Sequence, residues 1–350
     1  MPDSRLMVAF TEAVGPVDPS DREAAPEALK ERLGVADQPP ERDFYGLDMT
    51  VRYLRSEDGG LHWNLVRADP FKALYPASYG ANATIALRDG TLLRRVNGWD
   101  LMQEDLPRTA YLQRLAPGAS DWSAPEVLMD PKLYTYQLSR LRRLRDGCLI
   151  ALGQVWDAPA GSPASTLNEA DVEYLMLVSA DDGRTWRRNP IALPEDSYLE
   201  PNEWDAAELP DGNLLALFRT RESSTSREPV RRQGLLAWEG TGWKLTDVTD
   251  APMPHSGHPD LLATREGPVL SLSTTGVLMT EDGGRSWQPL KVAGGGTYAT
   301  EYYPRSVQAE DGAIHVFAHR GSDSGYGEVP NQMIVGDTFR LQAADGNETP

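Results

Sequence analysis

Three octets in this 350-residue chain repeat one another: SEDGGLHW at 56–63, SADDGRTW at 179–186 and TEDGGRSW at 280–287. Each begins with Ser or Thr, carries Asp at its third position and Gly at its fifth, and ends in Trp. Each also follows a run of alternating apolar residues, which places it at the turn of a hairpin. The first hydroxyl and the Asp carboxylate can bond turn amides, Gly accepts a positive φ, and Trp supplies a large ring to pack between sheets. A unit that recurs at such spacing constrains the fold more than composition does, because each copy must bury its apolar face against a neighbour.

A second repeat runs through the same chain. Six segments show a strand, a tight turn and a further apolar strand, with turn residues Asp3, Asp89, Asp146, Asp211, Glu266 and Asp311. The octets fall in the first, third and fifth of these units. Six units of short antiparallel strands predict an all-β chain, a six-bladed β-propeller occupying residues 1–350 as one domain. The segment PEALKERLGV (26–35) predicts the one helix, with Gly34 as its stop. It lies in a polar insertion at about 13–47, and so long an insertion between strands is expected near a site, as a lid.

Composition excludes several classes of function. With 52 acidic against 34 basic residues, the formal charge of −18 repels nucleic acid and anionic membranes, so neither is expected as a partner. A single cysteine, Cys148, rules out a disulfide framework, and its strand-like run CLIALGQVW predicts a buried, inert thiol. The five histidines (62, 255, 258, 315 and 319) show no metal-binding spacing, so no metal and no cofactor is expected. No apolar run approaches the ~18 residues needed to span a bilayer. The first residues, MPDSRLMVAF, have neither a basic start nor a long apolar stretch, so no signal peptide is read; the chain as given is expected in the cytoplasm, or outside the cell if its N-terminus is truncated.

In a propeller the innermost strand of each blade lines the central channel. Counting eight residues back from each turn residue reaches Ala81, Leu138, Glu203, His258 and Tyr303 in blades two to six. Three of these five can move protons or attack, and they come from adjacent blades. They are expected to open onto one mouth of the channel.

The octets resemble the Asp boxes (BNR repeats) of the sialidase superfamily, over nearly the whole chain, and the resemblance implies the same six-bladed fold and an exo-acting glycosidase. NEWDAAELPDGNLLALFR (202–219) resembles the segment in which that family places a Glu, an ELxDG run and an Arg. The resemblance implies that Glu203 partners a nucleophilic tyrosine and that Arg219 belongs to a triad holding the sugar carboxylate. YYPRSVQAEDGAIHVF (302–317) resembles the tyrosine strand, which makes Tyr303 the nucleophile. A carboxylate nucleophile would be repelled by the carboxylate on the anomeric carbon of a sialic acid, and a phenol activated by Glu is not. The general acid matches Asp18, with Asp21 and Asp48 as rivals.

The resemblance fails at two of the three arginines. The inner strand of blade one would precede residue 1, so either the chain is truncated or that blade lacks its innermost strand. The matching stretch of blade five, VLSLSTTGVLM (269–279), holds no arginine. Arg305, two residues after Tyr303, is the substitute on the same strand face. One placed guanidinium does not make a three-point clamp, which weighs against sialic acid as the sugar. Three readings follow: a hydrolase using Tyr303 and Glu203 with Arg219, His258 and Arg305 on the substrate; a uronate-directed lyase in which Tyr303 or His258 removes a proton; and a non-catalytic carbohydrate-binding propeller. Hydrogen-bonding distance between Glu203 and Tyr303 favours the first, a tyrosine next to a histidine with an arginine favours the second, and neither arrangement favours the third.

Overall fold

The computed structural model describes residues 5–33, 43–72, 83–97, 110–128, 135–158, 171–194, 199, 203–223, 225–226, 228–240, 242–254, 257–320 and 333–342. Ala81, Asp3 and Gly34 lie outside them. The described residues form six small antiparallel sheets in a ring, a six-bladed propeller. Blade one is β1 (Leu6–Val14), β2 (Asp48–Ser56) and β3 (Asn64–Phe71). Blade two is β4 (Thr84–Ala86), β5 (Leu92–Asn97), β6 (Ala110–Leu115) and β7 (Glu126–Val127). Blade three is β8 (Thr135–Arg143), β9 (Leu149–Trp156), β10 (Val172–Ser179) and β11 (Arg187–Pro190). Blade four is β12 (Trp204–Glu208), β13 (Leu214–Arg221), β14 (Pro229–Glu239) and β15 (Gly242–Asp250). Blade five is β16 (Asp260–Ala263), β17 (Val269–Leu272), β18 (Leu278–Thr280) and β19 (Gln288–Pro289). Blade six is β20 (Tyr302–Gln308), β21 (Ile314–Arg320) and β22 (Met333–Phe339).

Alternation explains which residues fill the space between sheets. In β12 and β13, Trp204, Ala206, Leu214, Ala216 and Phe218 join Ile150, Leu152, Tyr174 and Met176 of blade three in one buried cluster. The Trp204 ring stacks on Phe218 at 5.5 Å, and its indole N–H donates to the Gly153 carbonyl at 2.8 Å. A central blade pair thus has its one large polar handle satisfied.

The octets act as expected of hairpin turns, and all three use the same bonds. The Gly amide donates to the first hydroxyl at 2.8, 2.8 and 2.9 Å, in Gly60–Ser56, Gly183–Ser179 and Gly284–Thr280. The Asp carboxylate accepts the amide four residues on, at 2.9 Å from His62, 2.8 Å from Thr185 and 2.9 Å from Ser286. Each octet packs on the preceding blade. Trp186 packs on the cluster holding Leu93 and Ala110, and Trp287 on the cluster holding Ala207, Leu215 and Leu217. Trp63 meets Phe317 edge-on at 5.3 Å, which closes blade one onto blade six. Gly60, at φ 70–95° like its counterparts (here 92°), sits so close to His315 that a Cβ would come within 2.5 Å of the ring. Trp186→Ala should cost about 3–5 kcal/mol, read as a fall in denaturation midpoint at unchanged slope.

These turn bonds also set an acid dependence. They hold Asp58, Asp181 and Asp282 well below the usual carboxylate range; the largest causes are the His62 amide, the Thr185 hydroxyl and the Ser286 hydroxyl. A carboxylate depressed in the folded state stabilises above its unfolded pKa, about 3.9, and loses that contribution as pH falls toward the folded value. The triple variant D58N/D181N/D282N should therefore melt below wild type at pH 7, and the gap should narrow below pH ~4. Melting curves across pH check this; a gap that stays constant would contradict it.

The insertion is less polar in place than its sequence suggests. The helix α1 covers Glu27–Leu33, within the expected 26–35. Phe44 and Leu47 are buried with Met49, Val51 and Tyr53 of β2, and Ala25 is buried against Leu29 and Tyr45. The Asp43 carboxylate anchors the segment by accepting the Ala25 and Tyr45 amides, each at 3.0 Å. Cys148 is half-buried beside the blade-four cluster, and burial pushes its thiol pKa up, which keeps it protonated. No described helix is long and apolar enough to cross a membrane.

Candidate functional site

Inner strands β4, β8, β12, β16 and β20 all start at one end of the channel, so residues just before or at their starts share a rim. Glu203 immediately precedes β12, and its carbonyl accepts the Arg219 amide at 2.9 Å. Tyr303 is the second residue of β20. The chain brings them together: the Tyr303 hydroxyl lies 3.3 Å from Glu203 Oε1 and 3.5 Å from Oε2. The Arg219 guanidinium donates to Glu203 Oε2 at 2.7 Å. Glu203 and Arg219 side chains are 28% and 30% exposed, so the trio is open to a ligand yet partly shielded from water. Burial opposes the Arg219 charge, but Glu203 outweighs it and raises the Arg219 pKa.

Tyr303 is placed by a bulge. The β20–β21 register passes from Tyr302↔His319 to Arg305↔Phe317, one extra residue in β20. Tyr303 adopts φ 50°, one of three non-glycine residues with positive φ among those described. For a bulky side chain this conformation is costly, and such strain concentrates at sites where a side chain must be re-aimed. The bulge also interrupts the alternation expected to put Arg305 on the Tyr303 face. Arg305 instead lies a layer deeper, donating to the Pro304 carbonyl at 2.9 Å, and burial together with nearby Arg140 lowers its pKa to about 9.

His258 is not at the mouth as expected. It is 3% exposed, behind Tyr303, with ring centroids 6.4 Å apart. Its Nδ1 is 2.8 Å from the Pro259 carbonyl, and burial, with Arg140 and Arg305 nearby, keeps it neutral. Its Nε2 is buried and has no hydrogen-bond partner, so the ring lies in the wall beneath the rim. Asp18 is exposed and caps the 3₁₀ turn Pro19–Asp21, accepting the Ser20 amide at 2.9 Å and hydroxyl at 2.7 Å. The Ser20 bonds lower its pKa. It makes no described contact with Glu203, Arg219 or Tyr303, although β1 ends at the rim from which its segment departs. Asp21 and Asp48 are likewise exposed.

Two groups of residues escaped the sequence reading. Arg231 lies directly opposite Arg219 in the β13–β14 register, is 4% exposed, and donates to the Gly257 carbonyl. Gly257 in turn abuts Tyr302, where a Cβ would come within 3.0 Å of the ring. Burial first, with Arg219 adding to it against Glu203, lowers the Arg231 pKa to about 10, and its buried Nη1 has no hydrogen-bond partner. Below the mouth runs a charged layer. Arg140 donates to Asp260 at 2.9 Å, Arg142 Nε to Asp205 at 2.8 Å, and Ser306 to Asp260 at 2.5 Å; the Leu261 amide donates to Asp205 at 2.8 Å. These bonds tie blades three to six together across the channel. No described cluster of His, Cys, Asp and Glu could hold a metal.

No family profile and no curated protein sequence matches this chain. Solved structures do. A protein of unknown function from Dyadobacter fermentans is 17% identical, covers 85% of this chain and 91% of its own, and superposes with a TM-score of 0.53. An α-L-arabinofuranosidase from Fusarium graminearum is 12% identical over 84% of this chain and 89% of its own, with a TM-score of 0.55. An intramolecular trans-sialidase from Ruminococcus gnavus is 11% identical over 84% and 88%, at 0.52. At such identities the likeness shows the fold, a six-bladed propeller of the sialidase kind.

Proposed function

We propose that this propeller is a glycoside hydrolase in which Tyr303 attacks the anomeric carbon and Glu203 takes the phenolic proton. The observation that supports it most is the 3.3 Å contact between Tyr303 and Glu203, supplied by blades six and four. The new bond joins the tyrosine oxygen to the anomeric carbon as the glycosidic C–O bond breaks; water then releases the sugar with Glu203 as the proton carrier. Arg219 and Arg231 supply donors for an oxygen-rich group of the substrate, and Arg219 must loosen its hold on Glu203 for that carboxylate to act as a base. A lyase with His258 as its base is the weaker reading, because that ring is buried and its Nδ1 lies 2.8 Å from the Pro259 carbonyl. A binding-only propeller leaves the strained Tyr303 without a purpose.

Asp18 is the acid this reading assigns to the leaving oxygen, once it releases Ser20. D18A should then slow natural glycosides by ~10²-fold or more and aryl glycosides with good leaving groups much less. Equal slowing of both would remove Asp18 from that role. Sialyllactose should turn over well below ~1 per second, since the blade-five clamp stretch, 269–279, holds no arginine. Mass spectrometry of products from mixed glycans tests the class of reaction. Addition of water marks hydrolysis; an unsaturated uronate overturns it in favour of elimination.

A further inference from the structure

The φ of 50° at Tyr303 must be held by its neighbours, since a tyrosine left to itself relaxes to a negative φ. The β20–β21 ladder does not hold it: the register skips Tyr303 and Pro304, and Pro304 has no amide hydrogen to give. Packing remains. The Tyr302 ring meets the Tyr303 ring edge-on, with centroids 4.4 Å apart and planes at 78°. Side chains of consecutive residues in a regular strand point to opposite faces of the sheet, so this contact exists only because of the bulge. Edge-on contact is also the arrangement that aromatic pairs favour.

Tyr302 has a seat of its own. Gly257, just before β16 and at φ 67°, lies so close that a Cβ there would stand 3.0 Å from Cε2 and Cζ of Tyr302 and 3.1 Å from its hydroxyl oxygen. Any other residue at 257 would meet both backbone strain and the ring. The Gly257 carbonyl accepts from Nη2 of Arg231, a side chain of a residue only 4% exposed. Arg231 faces Arg219 across the β13–β14 ladder, and Arg219 donates to Glu203 at 2.7 Å. Two like charges set opposite each other cost stability. The pair nonetheless reaches both sides of the Tyr303–Glu203 contact: Glu203 through Arg219, and Tyr303 through Arg231, Gly257 and Tyr302.

We propose that Tyr302 is the positioning residue of Tyr303: seated on Gly257, whose carbonyl Arg231 holds, its ring keeps the Tyr303 phenol at Glu203. The catalytic consequence rests on the hydrolase reading above; the packing does not.

The test places 3-fluorotyrosine at position 303 alone in the full chain and follows its fluorine NMR resonance in Tyr302→Leu, Tyr302→Phe and Gly257→Ala. Turnover is measured on the unlabelled chains with the 4-nitrophenyl glycoside that wild type cleaves fastest in a panel. Tyr302→Leu and Gly257→Ala should each move and broaden the resonance. Each should lower kcat by about a hundredfold with KM little changed, as displacement of a reacting group by about 1 Å does. Tyr302→Phe, which keeps the ring, should leave both readouts near wild type. An unmoved resonance in either of the first two variants, with circular dichroism like that of wild type, overturns the proposal. So does a Tyr302→Phe variant as slow as Tyr302→Leu, which would assign the effect to the hydroxyl. The two variants disturb one contact from opposite sides, so loss of fold in one leaves the other to decide. The resonance decides the positioning role even where no glycoside of the panel is cleaved. A resonance that moves while turnover holds leaves the packing role standing and overturns Tyr303 as the nucleophile.

Discussion

Tyr303→Phe should lower turnover of the hydrolysed sugar by about a thousandfold or more while leaving the fold intact. The phenyl ring fills the same space beside Tyr302 and His258, so the loss is of the attacking oxygen alone. Glu203→Gln should fall by a similar factor, since the amide cannot take the proton yet still accepts from Arg219. Because the two groups act as one unit, the double variant should be little worse than either single. Rates of the three variants, with circular dichroism to verify folding, check this. Near wild-type turnover in Tyr303→Phe would eliminate the mechanism.

The second large effect is on stability. Asp205→Ala should destabilise by about 3–5 kcal/mol, because it removes the carboxylate partner of the part-buried Arg142, strands the Leu261 amide, and weakens the hold on the buried Arg140 3.6 Å away. Asp205 is fully buried, so water cannot replace what is lost. Asp205→Asn, which keeps an acceptor for the amide, should cost less. Urea midpoints at matched slope measure both. Equal costs would mean that charge contributes nothing to this layer.

Most of the architecture was legible because the fold is a repeat, and the repeat is written in Asp, Gly and Trp. Three octets share one set of turn bonds, and the turns at Asp89, Asp146, Asp211, Glu266 and Asp311 mark five of the six sheets. Counting back from the turns also found Glu203 and Tyr303, which converge as the inner strands require. The same count carried two residues further reaches Arg140, Asp205, Asp260 and Arg305, so the charged layer was visible in the sequence though not read there.

Other parts were hidden for physical reasons. Arg231 lies on the third strand of its blade, where the distance from the inner turn says nothing about the channel. The bulge at Tyr303 shifts the alternation by one residue, and Pro304, inside the strand, is the one sequence signal of it. That shift separated Tyr303 from Arg305, which period two had joined. His258 has the right offset, but the backbone carbonyl of Pro259 holds its ring against the wall. Asp18 rests on a loop whose position no periodicity fixes. The insertion looked polar because its four anchors, Ala25, Phe44, Leu47 and Asp43, are spread among charged residues.

The configuration of the first sugar released tests the central claim most directly. Attack by Tyr303 and then by water inverts the anomeric carbon twice, so proton NMR recorded early in the reaction should show the substrate's own anomeric configuration, before mutarotation mixes the forms. An inverted first product would mean that water attacks in a single step, and would contradict a nucleophilic Tyr303.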